Sequence, residues 1–191
     1  PPRCNSFTNS LRSCNWGPSP AIINFASLIF STKILKTFIA RSNPLILINL
    51  PADKIKNSDS LCIHLRRMHG GGSYHAKYDM DYYTRGVEYI KSNNKIDRIY
   101  VFSDDIKWCK DNIKFDLPTI FVDREYAGKK GEGDLFLMSQ CKNFIIPNST
   151  FSWWGAWLSS NPNKIVITPK HWFTNSHIST KDLIPEDWVQ L

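Results

Sequence analysis

From residue 61 onward the hydrophobic pattern switches regularly between two periods. Leu61 to Leu65 is a short apolar run, the pattern of a buried strand. Asp79 to Ser92 carries Met80, Tyr83, Val87 and Ile90 at helical spacing, which puts them on one face. Arg98 to Phe102 reads as a second strand. Asp104 or Asp105 then stands where a helix around Trp108 needs an N-cap. The alternation continues with a strand at Thr119–Val122, a helix at Asp134–Cys141, a strand at Phe144–Ile146, a helix at Ser149–Ser159 and a last strand at Ile165–Thr168. Strands alternating with helices predict an α/β fold, a doubly wound Rossmann-like parallel sheet with helices on both faces. Ligands of such sheets bind at the carboxyl ends of the strands.

Upstream the pattern is weaker. Residues 1–20 hold four Pro and two Cys among many Ser and Asn, and read as irregular. Residues 21–40 are apolar with faint helical spacing, Leu45–Leu50 reads as a strand, and Pro51–Ser60 as a polar connector. The expected organisation is an irregular N-terminal extension over 1–60 and a compact domain over 61–191.

Composition narrows the classes. The chain has 191 residues, 42% hydrophobic and 21% charged, enough for one full core. The net charge of +7 suits an anionic partner. Lys and Arg are dispersed rather than blocked, so no nucleic-acid partner is expected. The five Cys are widely spaced and form no CxxC pair, which points to free thiols in a reducing, cytoplasmic compartment and away from zinc. No apolar run reaches the length of a membrane span.

Chemistry concentrates after the strands. His64-Leu65-Arg66-Arg67 leads into Gly70, Gly71 and Gly72. Arginine forks and a glycine turn suit a diphosphate, and suit a solvated strand end as well. Asp104 and Asp105 could bind hydroxyls or the arginines, or serve as structural support by capping a helix. Adjacent carboxylates diverge, so no metal site is expected there. Asn148-Ser149-Thr150-Phe151-Ser152 opens a helix whose N-terminal N–H groups favour phosphate. Trp153, Trp154 and Trp157 follow, with core packing the simplest role for at least two of them.

Taken together, IHLRR, the paired tyrosines of MDYY, VFSDD with its following Trp, DLFLMSQCKNFIIPNSTFSWWGAWL, NKIVITPKHWF and DLIPEDW resemble glycosyltransferase family 11, the α-1,2-fucosyltransferases. The resemblance runs from about Leu61 to Leu191. It implies the C-terminal, donor-binding half of a GT-B-type enzyme. It also implies inverting, metal-independent transfer of fucose from GDP-fucose to the 2-hydroxyl of a galactoside in a glycan, with no cofactor. Carried over by position, Arg66 and Arg67 look like the diphosphate arginines, with Arg66 the catalytic one. His64 and Asn148, Ser149, Thr150, Phe151 and Ser152 look like donor contacts, and Asp134 like a nucleotide-side contact or a brace. The family usually has Gly-Asp-Tyr after the arginines, where this chain reads Met68-His69-Gly70. His69 and Asp79 are therefore the candidates for the base. The family also begins with a GGLGNQ-type segment, absent here, so the chain reads as truncated, with an inactive GDP-sugar-binding module as the alternative. The resemblance further implies peripheral contact with the inner membrane face.

Overall fold

A computed structural model describes residues 52–67, 79–123, 131–174, 177 and 179–191. The expectations for residues 1–51, including the strand at Leu45–Leu50, lie outside these described residues, as do His69 and the glycine run.

Six parallel strands form one sheet in the order β3-β2-β1-β4-β5-β6. They are β1 (Ser60–Leu65), β2 (Arg98–Ser103), β3 (Thr119–Phe121), β4 (Asn143–Ile145), β5 (Val166–Thr168) and β6 (Val189–Gln190). The helices are α1 (Ala52–Lys56), α2 (Met80–Asn93), α3 (Ile106–Asn112), α4 (Glu132–Ser139) and α5 (Thr150–Leu158). The doubly wound parallel fold expected from the alternation is the one found.

Side-chain alternation sorts the strands onto two cores. Leu61, Ile63, Leu65, Ile99, Val101, Ile145 and Ile167 pack with Tyr82, Tyr83, Val87 and Ile90 of α2 and Cys109 of α3. Cys62, Tyr100, Phe102, Phe144, Ile146 and Val166 face the other way, onto Leu137 and Met138 of α4 and Ala156 of α5. Right-handed crossovers account for this division. Winding from β1 to β3 lays α2 and α3 on one face. Winding in the opposite direction from β4 lays α5 on the other. The reversal between β1 and β4 opens a crevice at their carboxyl ends, the place where doubly wound sheets receive ligands.

Two local expectations are corrected. Ala52–Lys56 is helical, where the polar composition predicted a connector, and its Ile55 is fully buried in the α4/α5-side core. This short helix offers only Ala52 and Ile55 to the core, too few repeats to register as a period. The sheet also gains β6, a two-residue strand beside β5 (Ile167 opposite Val189). An edge strand of that length carries no alternation to read.

Candidate functional site

The β1–β2 register sets the first half of the crevice. Leu65 lies opposite Ser103, so the chain leaves both strands side by side. Asp105 caps α3 by accepting the Trp108 N–H (3.2 Å), and its own N–H donates to Ser103 Oγ (3.0 Å). Of the two capping candidates, Asp105 does the capping. Asp104 Oδ1 accepts the backbone N–H of Arg67 at 2.8 Å. The Arg67 Nε lies 3.5 Å from Asp105 Oδ2, and its guanidinium carbon sits 3.5 Å above the Trp108 ring centroid. Arg67 is thus held against the β2–α3 turn.

Arg66 goes the other way. Its Nη1 donates to Ser149 Oγ at 3.4 Å, spanning the gap from β1 to the N-terminus of α5. Ser149 is the N-cap residue of α5 and is almost fully buried, yet its hydroxyl makes no capping bond. Ser152 is equally buried and donates its hydroxyl to the Ser149 carbonyl (3.2 Å). Thr150 is exposed. Asn148 donates to the Trp172 carbonyl at 2.8 Å, which ties the turn after β4 to the segment after β5.

His64, two residues before Arg66 on β1, is 7% exposed, with its ring 6.0 Å from that of Phe151. Burial pushes its pKa down to about 4, with the Asp104 carboxylate pulling it up and the Arg66 guanidinium pushing it further down. The imidazole is therefore neutral near pH 7. Its Nδ1 is buried and meets no hydrogen-bond partner among the described residues. Asp134 is half-buried in the first turn of α4. Its charge, after burial and the neighbouring Cys141, helps to push the Cys62 thiol pKa up. Asp79 is the N-cap of α2, accepting the Tyr82 N–H at 3.3 Å.

Geometry therefore brings together His64, Arg66, Ser149, Phe151 and the start of α5. It sets Arg67, Asp104 and Asp105 to one side as a second cluster. Among the described residues no group of three or more His, Cys, Asp or Glu is arranged to hold a metal ion.

Two supporting residues stand in the quoted motifs, but the sequence reading gave them no role in the site. Trp108 carries Arg67, and Tyr82 donates its phenol O–H to the Ile146 carbonyl (2.7 Å), just before the turn that presents Ser149. Tyr82 precedes Tyr83 by one position and falls outside the period used to find the buried face. The Trp108 contact depends on strand register, which no local pattern encodes.

Fold and crevice together define a Rossmann-like α/β domain of the glycosyltransferase kind, with a cation and a helix N-terminus at its switch point. The chain belongs to glycosyl transferase family 11, whose family model matches residues 34–191. The match begins upstream of the first quoted motif at Leu61. An O-antigen biosynthesis glycosyltransferase (WbnK) of Escherichia coli is 37% identical over 141 residues, 71% of this chain and 46% of that protein. An alpha-1,2-colitosyltransferase of Escherichia coli is 36% identical over 169 residues, 75% of this chain and 53% of that protein. The galactoside alpha-(1,2)-fucosyltransferase 1 of Bos taurus is 31% identical over 85 residues, 42% of this chain and 22% of that protein. The chain spans about half the length of the two bacterial relatives it matches. No helix among the described residues is long and apolar enough to cross a membrane.

Proposed function

We propose that this chain forms the donor-binding half of an α-1,2-glycosyltransferase that takes fucose from GDP-fucose and passes it to the 2-hydroxyl of a galactoside. The observation that carries this reading is the Arg66–Ser149 bridge across the crevice at the start of α5, with the neutral His64 two residues before Arg66. A guanidinium fork and a helix N-terminus converge there, a combination suited to a diphosphate. The two neutral aromatic neighbours, His64 and Phe151, suit a planar base or sugar face beside it.

In the proposed reaction the acceptor oxygen bonds to the anomeric carbon as the bond from that carbon to the β-phosphate oxygen breaks. The configuration inverts, the acceptor loses its hydroxyl proton, and GDP departs with the extra negative charge. Arg66 and the α5 N–H groups stabilise that charge, and removing one such donor costs roughly 10²–10³ in rate. Asp79 is engaged as a helix cap, and His69 lies outside the described residues, so the proton acceptor stays open between them.

A second donor is favoured by the 36% identity to an alpha-1,2-colitosyltransferase. Colitose is fucose without its 3-hydroxyl, so a diphosphate site built like this one serves either sugar. Calorimetry on the full chain with GDP, GDP-fucose, UDP and a UDP-sugar tests the reading, each with and without EDTA. We expect heats for the guanosine ligands only, unchanged by EDTA. Equal heats for UDP, or loss with EDTA and recovery with Mn²⁺ or Mg²⁺, would overturn it. Turnover with GDP-fucose and a galactoside then separates an active transferase from a binding module.

A further inference from the structure

We propose that Trp108 is a positioning residue for the donor diphosphate, acting through Arg67 to aim Arg66. The inference rests on the donor-site reading above. Arg66 and Arg67 are the last described residues of the β1 exit, and both are exposed. A surface arginine with no support samples many rotamers, and the backbone that carries it is equally free. Here three contacts converge on Arg67. Asp104 takes its backbone N–H at 2.8 Å, Asp105 lies 3.5 Å from its Nε, and the Trp108 ring lies 3.5 Å from its guanidinium carbon.

All three come from one turn, and the turn is itself locked. Ser103 holds the Asp105 N–H, and Asp105 holds the Trp108 N–H. Trp108 is in turn packed against the α2/α3-side core. The indole is therefore a fixed surface over which the guanidinium carbon sits, the geometry of a cation–π contact. Fixing Arg67 fixes the peptide that joins it to Arg66. Side chains on an extended chain alternate, so Arg66 is then turned toward β4 and Ser149. Arg67 lies against Asp105 and Trp108, and Arg66 reaches Ser149 across the crevice.

The test uses the full chain with GDP as the probe. Trp108→Leu keeps apolar cover on the core and removes the aromatic face, whereas Trp108→Phe keeps an aromatic face. We expect Trp108→Leu to raise the Kd for GDP by about 3- to 30-fold, and Trp108→Phe to recover most of that loss. In an Arg67→Ala background, Trp108→Leu should add nothing further to the Kd. Trp108→Met carries the same arm if the leucine variant does not fold. A ligand-free measurement stands beside these: the Arg67 side-chain Nε–H resonance should be ring-current shifted in the parent and in Trp108→Phe, and unshifted in Trp108→Leu. GDP affinity equal to the parent in Trp108→Leu overturns the positioning role while leaving the donor reading intact. An undiminished effect in the Arg67→Ala background also overturns it, because Trp108 would then act by another route. A parent that binds no GDP removes the donor reading and this role with it, and the resonance still reports whether the stack exists.

Discussion

Arg66 and Arg67 are neighbours in the chain and have different surroundings. Arg66 reaches Ser149 at 3.4 Å, whereas Arg67 is pinned between Asp104, Asp105 and Trp108. Lysine in place of either keeps the charge and loses the planar fork. Arg66→Lys should therefore weaken GDP binding by about 1–3 kcal/mol. Arg67→Lys should cost less affinity and give the larger fall in melting temperature. Calorimetry and thermal melts on both variants decide the matter, and a reversed order would exchange the two roles. That the two side chains diverge was legible in the sequence, because strand residues alternate. Their partners were only half legible. The alternation leaves the second arginine to brace the turn or pair with a carboxylate such as Asp104 or Asp134; Asp104 takes its backbone N–H and Asp105 meets its side chain.

At the scale of elements, two of the α5 tryptophans pack on the core as expected, but the fully buried positions of the helix are its small residues. These are Ser152, Gly155 and Ala156. Trp153 packs on the α4/α5-side core and Trp154 on Leu135. Trp157 is 45% exposed, stacked on Trp153 at 5.2 Å. The reason is the close approach of α4. A Cβ added at Gly155 would lie 2.9 Å from the Cβ of Met138. That atom is fixed to the backbone, so the helices themselves must part. At Gly86 in α2 the nearest atom, also at 2.9 Å, is the Ile145 Cδ1, the free end of a side chain. Gly155→Ala is expected to cost about 1–3 kcal/mol of stability. Gly86→Ala should cost less, because the atoms it meets all belong to the Ile145 side chain, whereas at Gly155 the nearest is a Cβ. Urea unfolding of the two variants checks the order, and a Gly86 variant that loses more would contradict it. Because α5 also presents Ser149, the same Gly155 substitution should loosen the crevice.

For the molecule as a whole, His64 links the site to global stability. The unfolded chain binds a proton on this imidazole as pH falls through about 6.5, whereas the folded chain resists until about 4. Stability present above pH 6.5 is therefore lost as pH falls across that window, by about 3 kcal/mol in total. His64→Asn removes the titration. The stability difference between parent and variant should shrink from pH 7 to pH 4.5 in denaturant melts, and a constant difference would show that the imidazole is not desolvated. Alternation of strand and helix settled the fold class, since it follows from periods written locally along the chain. The family, too, was legible in short contiguous motifs such as the one opening α5. The strand order, the pairing of β1 with β4 and the meeting of Arg66 with Ser149 across 83 positions were decided only by tertiary structure. So were the Trp108 platform under Arg67 and the small-residue seam between α4 and α5. These depend on strand register and helix separation, which are set by the packing of all the elements at once and leave no periodic trace in any one of them.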